Sequence, residues 1–272
     1  MTLHFNLPAL TRRLLLCAAL VCVPSAPSYA LTNASPTSSY SAVGDLGTAS
    51  GVQVAPNWVL TATHVAVGLI ANTSSFVSTA GRSIVDAVYP FSTQAFPAND
   101  ISLVHLATPV NSSLPFLPSS VLNTSDASLL GSVTLVSAQN DVPNGVGEAA
   151  GKGTMTMMRT ASGPATVNLL ITQGSASVQG GDSGSALLRG LPTDSLNASL
   201  IGIASAEMGN STSGYVQPAA YRAWIDKTMA PSSQHVKWLP VPVPEPSTLM
   251  MFCIVGLAWL MLRLKLRVRI DV

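Results

Sequence analysis

The sequence predicts an all-β domain, and three observations carry that prediction. Between residues 31 and 230, apolar and polar residues alternate in a series of short runs, the two-residue period of a half-buried strand. The gaps between the runs are filled with Ser, Thr, Asn, Gly and Pro, the residues that turns select. Only one segment, close to residue 230, has the spacing of an amphipathic helix. Many short strands with polar turns imply a sandwich or barrel rather than βαβ units.

In chain order, "SGVQVAPNWVLTATHV" alternates on both sides of Pro56-Asn57 and reads as a hairpin. "SIVDAVYP", "DISLVHLATPV", "GSVTLVSA", "ATVNLLIT", "GSALL" and "SLIGIASAEM" continue the series of strands. In "PAAYRAWIDKTM", Tyr221, Trp224, Ile225 and Thr228 fall on one helical face. Pro231 ends that helix, and residues 231–243 read as a Pro-rich spacer.

The whole chain is 272 residues long, with 9% charged residues and a mean hydropathy of +0.41. The apolar excess sits at its two ends. Arg12 and Arg13 precede "LLLCAALVCV", and small residues lead to Ser28-Tyr29-Ala30. A basic stretch, a short apolar stretch and a small-x-small site read as a secretory signal peptide, residues 1–30, cut after Ala30 or, alternatively, Ala26. Signal peptidase is the partner this implies. At the other end an apolar run, 249–262, extends through Leu264 and Leu266 between Arg263, Lys265, Arg267 and Arg269. It is short for a span of roughly 20 residues, but its cations can snorkel. A membrane helix over 249–266 is expected.

Pro244, Glu245 and Pro246, followed by this helix and an Arg-rich end, resemble the PEP-CTERM sorting signal, here residues 244–272. That resemblance implies processing by an exosortase-type membrane enzyme and transient anchoring in the inner membrane. The destination it implies is the cell surface or extracellular matrix. The cations alternate with apolar residues instead of bunching, which departs from the pattern. All three cysteines, Cys17, Cys22 and Cys253, lie in the end segments. The middle must therefore be stabilised by its core alone, which about 200 residues can do. That middle carries six Lys/Arg against ten Asp/Glu. With no basic stripe, it has no footprint for nucleic acid.

The candidate chemistry lies in "QGGDSGSALL". Gly181 and Gly184 permit positive φ around Ser183, so the N–H groups of Gly181 and Ser183 can converge on one oxyanion. A serine nucleophile needs a base and a group that orients the base. His64 ends an apolar strand, His105 lies within one, and His235 sits in the spacer. Asp100 opens a buried strand and suits the orienting role, while Asp86 competes for it by spacing alone. No His/Cys/Asp cluster has metal-ligand spacing, so no metal and no cofactor are expected.

"APNWVLTATHV", "NDISLVHLATPV" and "GGDSGSAL", in that order, resemble the His, Asp and Ser motifs of chymotrypsin-like (trypsin-fold) serine proteases. "LIGIASAEMGNSTSGYVQPAAYRAWI" resembles that family's pocket wall, loop and final helix. The resemblance implies two six-stranded Greek-key β-barrels with a short C-terminal helix, over residues 31–230. The first barrel is expected at about 42–115 and the second at about 130–220. It implies His64 as base, Asp100 as its orienter, Ser183 as nucleophile, and Gly181 with Ser183 as oxyanion donors. By alignment Ser177 forms the floor of the substrate pocket, Ser205, Ala206 and Glu207 one wall, and Gly214 the opposite one. A neutral floor implies cleavage of protein or peptide substrates after uncharged residues. In members activated by cleavage, a freed amine pairs with the aspartate before the serine, here Asp182. No Arg/Lys-Ile-Val-Gly-Gly start precedes "SAVGDLG", so the expectation is a site formed directly on folding. The expected function is an exported serine endopeptidase; the alternative is a catalytically silent binding or matrix module of the same fold.

Overall fold

The computed structural model describes residues 31–239 apart from 93–95, 124–126, 128–129, 140–143, 161–162 and 190–198. The expected signal peptide, the sorting motif Pro244, Glu245 and Pro246, and the helix over 249–266 lie outside the described residues. Among those described, no helix is long and apolar enough to cross a membrane.

Strands β1 (Ser35–Thr37), β2 (Val43–Asp45), β3 (Ser50–Ala55) and β4 (Trp58–Thr61) come first. A helical turn, Thr63–Ala66, follows, then β5 (Ser75–Ser78), β6 (Gly81–Pro90) and β7 (Ser102–Leu106). Strands β2-β3-β4-β7-β6-β5 close into a barrel. The hairpin predicted around Pro56-Asn57 is β3–β4, paired Val52↔Leu60 and Ala55↔Trp58. After β8 (Leu117–Pro118) come β9 (Ser132–Ser137), β10 (Asn144–Thr160), β11 (Gly163–Gln173), β12 (Ala186–Arg189), β13 (Ser199–Glu207) and β14 (Thr212–Val216). The order β10-β11-β14-β13-β12-β9 is closed by a further β10–β9 pairing, and β1 is added on β10. The fold is thus two six-stranded rings with a short C-terminal helix, Arg222–Met229.

Long strand β10 is what closes the second ring, and alternation does not reveal it. Its first part pairs with β9 (Gly145↔Ser137 to Ala150↔Ser132) and its second with β11. The ladder to β11 slips between Gly151 and Gly153, a bulge that bends the strand from one neighbour to the next. Gly153 sits at φ 146 there, a conformation open to glycine and strained for other residues.

Both faces of several strands are buried, which explains runs such as "WVLT". Trp58 and Leu60 face a cluster shared with Val136, Leu169 and Ile203 of the second barrel. Val59 faces the first barrel's own interior with Phe76 and Val104. The shared cluster clamps the barrels together and so fixes the cleft between them.

Residues 231–239, expected as a spacer, are docked on the body instead. Val236 is buried in the shared cluster, and β15 (Trp238–Leu239) pairs parallel with β8. Proline content read as a linker; the apolar residues between the prolines supply the attachment.

Candidate active site

His64 lies on the turn that follows β4. Thr63 buries its hydroxyl against the Ile101 carbonyl at 2.8 Å, which pins that turn to the segment leading into β7. The His64 backbone N–H donates to Asp100 Oδ1 at 3.0 Å. The ring Nδ1 is 2.8 Å from Asp100 Oδ2, and Nε2 is 2.7 Å from Ser183 Oγ. Asp100 is 0% exposed, so its acceptor-only carboxylate fixes the proton on Nδ1 and leaves Nε2 to accept from the serine. Ser205 Oγ donates to the same Oδ2 at 2.6 Å.

Three sequence-predicted residues therefore meet, and Asp86 is not among them. Its Oδ1 lies 2.6 Å from Nδ1 of His105, whose ring packs edge-on against Trp58. His235 is exposed beyond the helix.

The serine loop is held from both barrels. Ser50 N–H donates to the Ser183 carbonyl at 2.9 Å, and Gly184 N–H donates to the Ala204 carbonyl at 2.8 Å. Gly181 has φ 97 and Gly184 φ 80. A Cβ on Gly184 would lie 2.1 Å from the Ser50 carbonyl oxygen, so only glycine fits. The N–H groups of Gly181 and Ser183 make no hydrogen bond among the described residues.

A cavity of about 90 Å³ adjoins Ser183, walled by Val178, Gln179 and Gly180 on one side and by Ala204 to Glu207 on the other. Of the expected pocket positions, Ser205, Ala206 and Glu207 line this cavity, and Ser177 and Gly214 do not. Ser177 is not in the lining; it is buried, and its carbonyl takes the Thr32 N–H at 2.9 Å. Gly214 stands behind the wall, paired with Ala206 across β13–β14. Ser205 lines the cavity but turns its hydroxyl to Asp100. Glu207, exposed at the end of β13, also lines the cavity.

Some features were not legible in the sequence. Phe96 stacks edge-on at 5.9 Å over the His64 ring while remaining 45% exposed. Tyr221, at the foot of the C-terminal helix, donates to Asn99 at 3.2 Å; burial and then the Asp100 charge push its phenol up to about 12. Asp182 is 0% exposed and accepts from Ser137 Oγ, the Gln179 N–H and the Leu31 nitrogen. Burial raises its carboxyl above the ordinary range, partly opposed by those hydrogen bonds, and the Glu207 charge adds to the rise. Among the described residues no group of His, Cys, Asp and Glu could hold a metal ion.

Two β-rings with His, Asp and Ser drawn to their shared cleft define a chymotrypsin-like double barrel. The comparison with protein families agrees: a family model described as Trypsin matches residues 31–225, and the chain belongs to the trypsin family. A second, described as a PEP-CTERM protein-sorting motif, matches residues 242–267, which indicates export and sorting to the cell surface. A comparison with curated proteins finds no match.

Proposed function

We propose that this trypsin-family protein is a serine endopeptidase that cleaves peptide bonds through an acyl-enzyme. One observation carries the reading: His64 bridges Asp100 and Ser183 at 2.8 and 2.7 Å. As Ser183 Oγ attacks the scissile carbonyl, Nε2 takes its proton, and Asp100 stabilises the resulting imidazolium. The Asp100 oxygens accept from the His64 N–H, the His64 ring and Ser205, which holds the carboxylate in place beside the ring. The tetrahedral oxygen is held by the N–H groups of Gly181 and Ser183, each worth about 3–4 kcal/mol of barrier. His64 then returns the proton to the leaving amine, and a water repeats the sequence on the acyl-serine.

The small cavity walled by Val178 and Ala206 suits an uncharged side chain, so cleavage after Arg or Lys is disfavoured. A peptide-library profile dominated by Arg or Lys would contradict that specificity. In the same reading, signal peptidase removes residues 1–30, the helix over 249–266 anchors the chain in the inner membrane, and an exosortase-type enzyme processes it at Pro244-Glu245-Pro246.

A fluorophosphonate probe tests the reading on the exported full-length protein beside Ser183→Ala. Labelling of wild type alone is the expected outcome. Absence of labelling in both sinks the hydrolase and leaves a silent binding module.

A further inference from the structure

The Asp182 N–H donates to the Gln179 carbonyl at 3.0 Å, so Gln179-Gly180-Gly181-Asp182 is a β-turn whose central peptide joins Gly180 to Gly181. Gly181 has φ 97, the sign that marks a type II turn; in type I the same position sits at about −90°. The two types differ by a half-rotation of the central peptide and keep the same closing hydrogen bond. In a planar trans peptide the C=O and N–H point in opposite directions. That rotation therefore puts the Gly180 carbonyl oxygen where the Gly181 N–H was, and an oxygen there repels a developing oxyanion. With glycine at both central positions, no side chain opposes the exchange.

One side chain grips this peptide. Gln139 Nε2 donates to the Gly180 carbonyl at 3.3 Å, and no other donor reaches that oxygen among the described residues. The carboxamide lies directly on Gly181, where an added Cβ would overlap Gln139 Nε2. Gln139 follows the end of β9, and its root is fixed from the first barrel. Ser50 Oγ accepts from the Ala138 N–H at 3.0 Å and donates to the Ala138 carbonyl at 2.7 Å. The Ser50 N–H holds the Ser183 carbonyl at 2.9 Å. One residue of the first barrel thus sets both the nucleophile and the base of the Gln139 side chain.

We propose that Gln139 is a positioning residue, whose carboxamide latches the Gly180–Gly181 peptide in its type II form. The carbonyl is held on the Gln139 side, and the Gly181 N–H is kept on the opposite one. This role rests on the hydrolase reading, in which Gly181 is an oxyanion donor. A glutamine amide carries both a donor and an acceptor. Its donor, facing the peptide, favours type II; an acceptor in the same place draws the Gly181 N–H to itself and favours type I. Gln139→Glu supplies acceptors alone, and Gln139→Met keeps the length with neither.

Full-length wild type, Gln139→Met and Gln139→Glu are exported and treated with a fluorophosphonate over a range of concentrations, which separates its affinity from the rate constant of inactivation. Crystal structures give the turn type, and melting curves the stability. The expected rate constants fall in the order wild type, Gln139→Met, Gln139→Glu, with affinity and melting temperature unchanged. Gln139→Met is slower by about 2- to 10-fold, the effect of one ordinary hydrogen bond on the population of the competent form. Gln139→Glu is slower by about 100-fold, the loss of one oxyanion donor, and its turn is type I. Gln139→Met at the wild-type rate overturns the proposal, because slowing in Gln139→Glu alone reports only the added charge. A loss that appears as weaker affinity or a lower melting temperature overturns it as well. If wild type does not label, the hydrolase reading fails, and the turn type decides the latch. Type I in Gln139→Glu against type II in wild type supports it; type II in both overturns it, whatever the labelling.

Discussion

At the scale of single residues, the site is organised around buried carboxylates with different solutions to burial. Asp100 accepts from the His64 backbone, the His64 ring and Ser205. Asparagine at 100 would keep the shape but favour the wrong imidazole tautomer, with an amide N–H facing Nδ1. Asp100→Asn is expected to lower kcat by about 10⁴-fold while the melting curve stays close to wild type. A comparable kcat would show that Asp100 does not orient the base. Asp182 supplies a pH dependence whose sign can be worked out. Burial raises its carboxyl above the ordinary range, against the hydrogen bonds from Ser137, Gln179 and Leu31. The folded state then holds a proton that the unfolded chain has released. Stability is therefore lost as pH rises from the ordinary carboxyl range, about 4, through the raised value, and is level above it. Replacing Asp182 with Asn removes this slope. Denaturant unfolding from acid to neutral pH checks it, and parallel curves for the two proteins would contradict it.

Individual elements differ in how openly the sequence declares them. The hairpin β3–β4 and strands β6, β7, β9, β11, β12 and β13 follow from alternation and turn residues, because each packs a defined face. Strand β10 does not, since "NGVGEAAGKGTMTMMRT" turns different faces inward on either side of its bulge and breaks the two-residue period. His64 and Ser183 were legible as candidates because an apolar strand ends at one and glycines flank the other. Choosing Asp100 over Asp86 took the family resemblance, and the hydroxyl of Ser205 carried no signal at all, since its value lies in a partner 105 residues away. The serine loop is the element where local geometry is least negotiable. A methyl on Gly184 meets the Ser50 carbonyl and the Thr61 hydroxyl at 2.1 and 2.3 Å, in a left-handed conformation besides. Gly184→Ala is expected to cost about 1–3 kcal/mol of stability from backbone strain, with additional loss from the clash. It also displaces Ser183, so probe labelling falls even at temperatures where the variant remains folded. Labelling at the wild-type rate would mean that the loop tolerates the shift.

The whole molecule is held together at two seams, the shared apolar cluster and the segment that runs from the C-terminal helix back to the first barrel. Ser232 Oγ accepts from Trp58 Nε1 at 3.0 Å, and Gln234 exchanges hydrogen bonds with Asn57 at 3.0 and 2.8 Å. Trp238 Nε1 donates to Asp226 at 2.7 Å, with the Arg222 guanidinium over its ring. Residues 231–239 thus strap the second barrel's helix onto the β3–β4 turn, one strand away from His64. Processing at Pro244-Glu245-Pro246, as proposed, leaves this strap whole. Two truncations of the exported chain separate strap from tail. Ending the chain at residue 239 is expected to leave stability and labelling unchanged, since every described contact of the strap remains. Ending it at 230 exposes the site of Val236, a loss of about 1.5–3 kcal/mol, and strips the Asn57 and Trp58 partners at about 1 kcal/mol each. For a domain of this size, the combined loss lowers the melting temperature by roughly 7–20 °C. Labelling should fall in parallel, because the β3–β4 turn that loses its partners belongs to the hairpin carrying His64. Identical melting curves for the two truncations would show that the strap only rests on the surface.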